Sequence, residues 1–277
     1  MLDKLSIQEI ISKALIEDIG TGDITTNSTV PKEQMIHGKF IAKEEGIVCG
    51  LELAEMIFLK VNPDIQLDFK AQEGEQVAAG DVIAEIKGPA IGVLTGERVA
   101  LNFMQRLSGI ATRTSKAVQQ VKGTRAKIAD TRKTTPGLRV LEKYAVKIGG
   151  GTNHRFNLAD GVLIKDNHIV AAGGITHAVT AARKNIPHTL KVEVEVENFK
   201  QIEEALSAGA DIIMLDNMDI PTMKQAVALI DGQALVEASG NMGDKDIKAV
   251  AQTGVDIISI GALTHTVKAL DISLKFT

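Results

Sequence analysis

The stretch KVEVEVENFKQIEEALSAGADIIMLDN, residues 191–217, decides the fold because it holds two strand patterns with a helix pattern between them. Valine alternates with glutamate up to residue 196, and this period-two spacing predicts a strand over residues 190–196. Residues 199–208 have apolar side chains at helical spacing, and residues 212–216 form an apolar run that ends in an acid. A strand, a helix and a strand joined by short links predict a βα unit with parallel strands.

The same alternation extends in both directions from this stretch. Further strands are expected at residues 127–130, 162–165, 235–239 and 257–261, and further helices at residues 175–184, 223–230 and 244–252. The pattern predicts an α/β fold with a parallel sheet covered by helices. Six clear strands fall short of the eight of a complete barrel. Either a strand is hidden at residues 139–151 or near Met104, or the barrel is incomplete.

The first hundred residues have a different, mixed pattern. Short strand-like runs at residues 37–42 and 65–69 flank a helix pattern at residues 51–60, and the N-terminal segment MLDKLSIQEIISKALIEDIG reads as an amphipathic helix. These features predict an α+β domain. The glycine-punctuated run AQEGEQVAAGDVIAEIKG, residues 71–88, looks like a biotin or lipoyl carrier module, but its turns display no lysine. A long helix, expected over residues 97–121, follows this domain.

Most of the predicted parallel strands end in a polar residue or a glycine. Glu195, Asp216 and Glu237 recur at a constant interval of 21 residues. In βα barrels the carboxyl ends of the strands and the loops after them build the active site, so these groups are expected at one mouth. Ser239-Gly240 and Gly261 follow the last two strands, where such barrels often hold a phosphate on backbone amides.

Cations are concentrated in DTRKTTPGLRVLEKYAVKIGGGTNHRFNLADGVLIKDNH, residues 130–168. The whole chain has a net charge of −4, so a cationic segment within it predicts a small anionic ligand and argues against nucleic acid. Arg132 and Lys133 lie in a loop after a strand, where guanidinium and ammonium groups suit carboxylate or phosphate. A cationic stripe on the following helix is expected to be a solvated face; it comprises Arg139, Lys143 and Lys147.

Other polar residues admit both structural and functional interpretations. Glycines 149–151 precede Asn153, His154 and Arg155, and His154 is expected to donate a hydrogen bond to an anion, since no second histidine or cysteine stands at ligand spacing. Glu193 and Glu195 point to the same side of one strand. A salt bridge with Lys165, magnesium binding and sugar-hydroxyl binding all remain open for these two acids.

Composition limits the environment of the protein. Cys49 is the only cysteine, so a disulfide within the chain is impossible and a reducing compartment is expected. No run reaches the length of about 18 apolar residues that a membrane span needs. We therefore expect a soluble, cytoplasmic protein without a nucleic-acid or membrane partner.

Taken in order, several blocks resemble the quinolinate phosphoribosyltransferase family over essentially the whole chain. The blocks are EDIGTGDITT, GERVALNFMQRLSGIAT, the segment from residue 130 to residue 169, VEVEVEN, IIMLDN, VEASGN and GVDIISIGALTH. The resemblance implies an N-terminal α/β sandwich domain, residues 1–102, and an incomplete βα barrel, residues 103–277, whose last helix packs back on the first domain. It also implies a homodimer with shared active sites. The implied reaction joins quinolinate to phosphoribosyl pyrophosphate with Mg²⁺ and yields nicotinate mononucleotide, pyrophosphate and carbon dioxide.

The resemblance also assigns roles to individual positions. Quinolinate would be held by Arg132, His154, Arg155 and Lys165, with Thr131 nearby and Arg98 lent by the neighbouring subunit. Lys133 and Lys165 match basic residues that bridge the substrates. Glu195 and Asp216 match acids that contact the ribose hydroxyls and the metal, and Ser239, Gly240 and Gly261 match the phosphate pocket. Lys133, Lys165, Glu195 and Asp216 are the expected catalytic residues.

Four alternatives remain open at this stage. A nicotinate phosphoribosyltransferase would release no carbon dioxide, and a paralogous phosphoribosyltransferase would act on another nitrogen heterocycle. Lys165 could form a Schiff base with a carbonyl substrate, as in barrel aldolases. A binding protein without activity would leave the acids of the metal site without a purpose.

Overall fold

The computed structural model describes residues 4–276, and side chains from residue 6 onward. The chain divides into two compact units, each discontinuous in sequence: residues 1–115, 135–150 and 266–277 form the first, and residues 116–134 and 151–265 form the second. The boundary expected at residue 102 falls inside a long helix, and the division itself lies further along that helix.

The strands, in chain order, are β1 (Met35–Ala42), β2 (Gly46–Ile47), β3 (Gln66–Phe69), β4 (Gln76–Val77), β5 (Val82–Pro89), β6 (Lys127–Ala129), β7 (Val162–Ile164), β8 (Val192–Val196), β9 (Ile212–Asp216), β10 (Leu235–Ser239), β11 (Ile257–Ser259) and β12 (Ile272–Phe276). The helices are α1 (Lys4–Ile19), α2 (Ile24–Thr29), α3 (Leu51–Val61), α4 (Ala90–Gln120), α5 (Arg139–Ile148), α6 (Asp166–Ala172), α7 (Ile175–Asn185), α8 (Phe199–Ser207), α9 (Ile220–Ile230), α10 (Ile247–Ala251) and α11 (Ala262–His265), with a 3-10 turn at Met242–Asp244.

The first unit is built on an antiparallel sheet with strand order β12-β1-β5-β3. Strand β1 alternates buried and partly buried residues along its second half, and its Phe40 packs edge-on against Phe58 of α3 with ring centroids 6.1 Å apart. The N-terminal amphipathic helix is present as α1, although residues 1–3 of the segment lie outside the described residues. This unit confirms the mixed α/β character expected of the first domain.

The end of the chain returns to the first unit as a strand, so the expectation of a last helix packing there was wrong. Strand β12 pairs antiparallel with β1, from Gly38 opposite Phe276 to Ala42 opposite Ile272. Ile272 and Leu274 are buried, and Ser273 between them is less so. This alternation has the period of two that a sheet edge requires, and a helix would have placed the two apolar residues on different faces.

The second unit is a six-stranded parallel sheet with order β6-β11-β10-β9-β8-β7. Its strands and the helices between them confirm the βα alternation and the incomplete barrel. No strand is hidden where one was considered, because residues 139–148 form α5 and Met104 lies within α4; Thr152 forms only an isolated bridge with Ala129. Val194, Ile213 and Val236 lie in register on one face of the sheet, and their burial fixes the central strands in the core.

Helix α5 corrects the expectation of a solvated cationic face. Lys143 is 1% exposed, while Lys147 is exposed and Arg139 is intermediate. Glu142, the residue before Lys143 in α5, is fully buried as well. It accepts two hydrogen bonds from Arg106 of α4, at 2.9 Å from Nε and 2.6 Å from Nη2, so this side of α5 is enclosed within the first unit. The spacing of the lysines alone could not reveal this enclosure.

None of the helices in the described part of the chain is both long and apolar enough to span a membrane.

Candidate functional site

The carboxyl ends of β7, β8, β9 and β10 bring together several of the expected site residues. Asp216 is the last residue of β9 and pairs in register with Ser239, the last residue of β10. Glu195 lies one residue before the end of β8, and its Oε2 is 2.8 Å from Nζ of Lys165, which directly follows β7. The ion pair that was one open interpretation of Glu195 is therefore present, and it joins two neighbouring strand ends.

The turns after β9 and β10 have unusual backbone geometry. Asn217 and Asn241 have positive φ angles of 53° and 51°, and Gly240 has a φ of 89°. A Cβ on Gly240 would collide with Asn217, whose N–H donates to the Ser239 carbonyl at 3.1 Å. Only glycine fits this position, so the two turns pack directly against each other at the strand ends. Such a turn suits an anion.

The loop after β6 places Lys133 against Gly261. The Thr264 hydroxyl donates to the carbonyl of Lys133 at 2.7 Å, and the Lys133 N–H donates to Oγ1 of Thr131 at 3.0 Å. A Cβ at Gly261 would lie 2.9 Å from Cδ of Lys133. Glycine at position 261 therefore gives the lysine stem the space to pass, so Thr131, Lys133 and Gly261 belong to one local arrangement.

Two guanidinium groups lie close enough to influence each other. Burial lowers the pKa of Arg155, and the neighbouring charge of Arg132 lowers it further. Nη1 of Arg155 donates to the Gly161 carbonyl at 3.0 Å, which orients the side chain. Like charges held together in this way form a favourable environment for an anion. The second unit thus gathers Arg132 and Arg155 as expected.

A buried cluster that the sequence did not predict lies deeper in the sheet. Nε2 of His154 is 3.2 Å from Oε2 of Glu193 and 3.6 Å from Oε2 of Glu237. Glu237 is 1% exposed, so its expected place at the mouth was wrong; it lies two residues before the end of β10. Burial, and then the charge of Glu193, raise the pKa of Glu237 to about 7. Spacing gave no signal for this cluster because its members come from three distant segments.

His154 is held by the protein at its other ring nitrogen as well. Its Nδ1 accepts a hydrogen bond from the N–H of Arg155 at 2.8 Å. The expected donation from His154 to an anionic ligand remains a prediction. Arg98 lies on α4 in the first unit with an exposed side chain, and it is not among the residues that the second unit gathers.

The parallel βα sheet, with acids and cations at the carboxyl ends of its strands, defines a βα-barrel enzyme of the kind that acts on anionic substrates. Residues 110–275 match the model of the quinolinate phosphoribosyl transferase C-terminal domain, and residues 23–108 match that of the N-terminal domain. The chain belongs to the quinolinate phosphoribosyltransferase family.

Individual relatives agree with this assignment over most of their length. The chain is 46% identical to the probable nicotinate-nucleotide pyrophosphorylase (carboxylating) of Bacillus subtilis (strain 168), covering 100% of this chain and 95% of the relative. It is 44% identical to the chloroplastic nicotinate-nucleotide pyrophosphorylase (carboxylating) of Arabidopsis thaliana, covering 97% and 82%. The solved nicotinate-nucleotide pyrophosphorylase of Francisella tularensis superposes with a TM-score of 0.95 at 42% identity, covering 100% and 98%.

Proposed function

We propose that the strand ends of the second unit are the catalytic site for the reaction of this family. The chain transfers the phosphoribosyl group of phosphoribosyl pyrophosphate to quinolinate with decarboxylation, a step of de novo NAD synthesis. The placement of the site rests on the closeness of Arg132 and Arg155. Their positive charges repel each other, and an anion bound between them would offset this repulsion. Quinolinate has two carboxylates that could supply this charge.

In this proposal Arg132, Arg155 and Lys165 hold the quinolinate carboxylates, with Thr131 and His154 nearby. Paired guanidinium donors fix the plane of a carboxylate, so the ring nitrogen faces the anomeric carbon of the second substrate. The turn at Ser239-Gly240 and the space beside Gly261 receive phosphate groups. Lys133, which passes Gly261, neutralises charge that develops on the leaving pyrophosphate.

Glu195 and Asp216 are proposed to hold the ribose hydroxyls and Mg²⁺. Among the described residues, Lys165 contacts Oε2 of Glu195 and Asn217 contacts Oδ2 of Asp216, so one oxygen of each carboxylate has no described hydrogen bond. Both side chains are partly exposed, and carboxylate oxygens are ligands that Mg²⁺ prefers, so the residues fit the ion. When bound, it would neutralise charge on the pyrophosphate. The two carboxylates themselves stabilise the positive charge that the sugar develops as its bond to pyrophosphate lengthens.

Attack by the pyridine nitrogen makes that nitrogen quaternary, and the ring then accepts the electron pair left when the adjacent carboxylate departs as carbon dioxide. No separate electron-sink cofactor is needed. The ion pair of Lys165 with Glu195 argues against the Schiff-base alternative, because an ion-paired ammonium binds anions and does not attack carbonyl carbon.

The test is release of labelled carbon dioxide from carboxyl-labelled quinolinate, with and without phosphoribosyl pyrophosphate, and with Mg²⁺ replaced by a chelator. Release that requires both the second substrate and Mg²⁺ supports the proposal. Release that persists unchanged in Arg155→Leu would move the quinolinate site elsewhere. Nicotinate consumed without carbon dioxide release would indicate the non-decarboxylating alternative.

We further propose a cytoplasmic homodimer in which the partner subunit's Arg98 completes the site. The exposed side chain of Arg98 in the single chain supports this. Arg98→Leu and Lys133→Met would each be inactive alone. Mixing the two would return about a quarter of wild-type activity, since half of the dimers would have one intact site of two. No recovery in dimers shown to exchange subunits would contradict a shared site.

A further inference from the structure

The loop that leads from Gly151 to Arg155 is anchored from below by a buried aspartate. Asp130 is fully buried, and its Oδ1 accepts the N–H of His154 at 2.9 Å while its Oδ2 accepts the side-chain amide of Asn153 at 2.6 Å. Thr152 adds a hydrogen bond from its N–H to the Ile128 carbonyl at 2.8 Å. The backbone at residues 152–154 is therefore fixed, and the His154 ring projects from a rigid support.

Both nitrogens of that ring have partners, and the two contacts together define its tautomer. Nδ1 faces the N–H of Arg155 at 2.8 Å, so Nδ1 must be the acceptor and the ring proton resides on Nε2. Nε2 is directed at Oε2 of Glu193 and Oε2 of Glu237, and carboxylate oxygens accept hydrogen bonds from an N–H group. The contact at Nδ1 also fixes the backbone of Arg155, and with it the point from which the Arg155 side chain extends.

We propose that Glu193 and Glu237 are positioning residues, which hold His154 as the neutral Nε2–H tautomer and thereby fix Arg155 at the anion site. Their role differs from that of Glu195, although Glu193 and Glu195 project to the same side of β8. Glu195 is paired with Lys165 at the strand end, whereas Glu193 is 4% exposed and faces the imidazole. The inference rests on the proposed function only where it assigns Arg155 to quinolinate.

The electrostatic balance of the pair fits this role. Two carboxylates buried side by side repel each other, and burial together with the charge of Glu193 raises the pKa of Glu237. The remaining oxygens, Oε1 of both residues, are buried and do not contact the ring, and the two glutamates line a cavity of about 320 Å³. The Oε2 atoms are thus the ones committed to the ring.

The same three side chains have the donor atoms of a metal site, with all ligand atoms within 4.8 Å of one another. The hydrogen bond at Nδ1 argues against a metal ion. A histidine that binds metal through Nε2 carries its proton on Nδ1, and here that proton would oppose the N–H of Arg155. The cluster is therefore suited to a hydrogen bond from Nε2–H of His154 to the glutamate carboxyl groups, and not to a metal ion.

The first experiment reads the tautomer in the unmodified protein, so it does not depend on any variant folding. Nitrogen NMR of ring-labelled histidine separates protonated from unprotonated ring nitrogens, and His154→Gln identifies the His154 signals. A neutral ring with its proton on Nε2 supports the proposal. A charged ring, or a proton on Nδ1, overturns it.

The second experiment compares Glu193→Leu with Glu193→Gln. Leucine removes the acceptor, whereas glutamine keeps a carbonyl oxygen there, so only leucine should disturb the ring signals and raise the KM for quinolinate, by about tenfold or more. The KM for phosphoribosyl pyrophosphate should stay within about twofold, since Arg155 does not hold that substrate. Unchanged ring signals and KM in Glu193→Leu would overturn the proposal, as would stoichiometric Zn²⁺ or Mn²⁺ binding that Glu193→Gln abolishes.

Failure of this inference can be distinguished from failure of the proposed function. Arg155→Leu tests whether Arg155 holds quinolinate, and an unchanged KM for quinolinate in that variant counts against the proposed site. The NMR measurement contains no substrate, so it still decides whether the two glutamates set the ring of His154. A correct tautomer that responds to Glu193→Leu, with Glu193→Gln close to wild type, supports the positioning role in either case.

Discussion

Replacing Gly261 by alanine is expected to impair catalysis while leaving the fold nearly intact. The added Cβ would lie 2.9 Å from Cδ of Lys133 and 3.2 Å from Cδ2 of His265, closer than carbon atoms normally pack. Gly261 does not have a positive φ, so alanine brings no backbone strain. The contact is with the stem of a flexible side chain, and Lys133 can move aside at a cost of about 1 kcal/mol or less.

The functional cost should be much larger than the cost in stability. The Lys133 carbonyl is fixed by Thr264, so the stem must bend around the new methyl group, and its ammonium group shifts by a distance on the order of 1 Å. A shift of that size at a charged catalytic group costs about 10²-fold in rate. We therefore expect kcat to fall about 10²-fold and the free energy of unfolding to change by about 1 kcal/mol or less.

The assay is steady-state formation of nicotinate mononucleotide, paired with urea unfolding of the same samples. Gly161→Ala is the matched control, because a Cβ there meets no atom within 4 Å, its φ is not positive either, and alanine keeps the main-chain carbonyl that accepts from Arg155. Full activity in Gly261→Ala would refute the reasoning that this glycine exists to let Lys133 pass. A large loss of stability with proportionate loss of activity would refute it as well, because the effect would then lie in the fold.

Lys165→Met breaks the ion pair with Glu195 and is expected to lower kcat/KM for quinolinate about 10²-fold. Lys165→Arg keeps the positive charge and should restore part of this loss. Equal kinetics in the two variants would show that charge at this position is irrelevant. Arg106→Leu leaves the fully buried Glu142 without its counter-ion and should cost about 3 kcal/mol in urea unfolding. The double variant with Glu142→Leu should recover part of that loss, and additive losses would contradict the ion pair. The pKa of Glu237 is raised from 4.5 to about 7, so between these pH values the folded protein binds a proton that the unfolded chain has released. This proton contributes about 3 kcal/mol to the free energy of unfolding. The contribution is fully present below pH 4.5 and is lost as the pH rises through 7. Glu237→Gln should lack this slope, and parallel stability profiles of the two proteins would contradict the assignment.

Local patterns were sufficient to predict the sheet of the second unit. The alternation of valine and glutamate in β8 and the apolar run of β9 are set by burial on one or both faces, a property that each residue carries with its neighbours in sequence. The acids Glu195 and Asp216 could be placed for the same reason, since the end of a strand is visible in the pattern. Contacts between distant segments were not accessible in this way.

Three features of the structure depend on contacts between distant segments, which sequence patterns do not reveal. Lys143 is buried because α5 is enclosed by other parts of the first unit, which no helical spacing reveals. Glu237 faces His154, a residue 83 positions earlier, and their proximity depends on how the loop after Gly151 is anchored on Asp130. Residues 272–276 form an edge strand because β1 offers an unpaired edge, which exists only once the sheet has formed.

The position of β12 in the sheet has a consequence for the order of events during synthesis. Strand β1 is complete at residue 42, but its second neighbour emerges from the ribosome only after residue 272. Throughout the translation of the intervening chain, the backbone amides of β1 along that edge have no partner, and such an edge recruits strands of other molecules. The second unit, whose segments end at residue 265, can fold before this edge is covered. A nascent chain of this protein would therefore be most prone to aggregation late in translation, which is when a chaperone would be of most use.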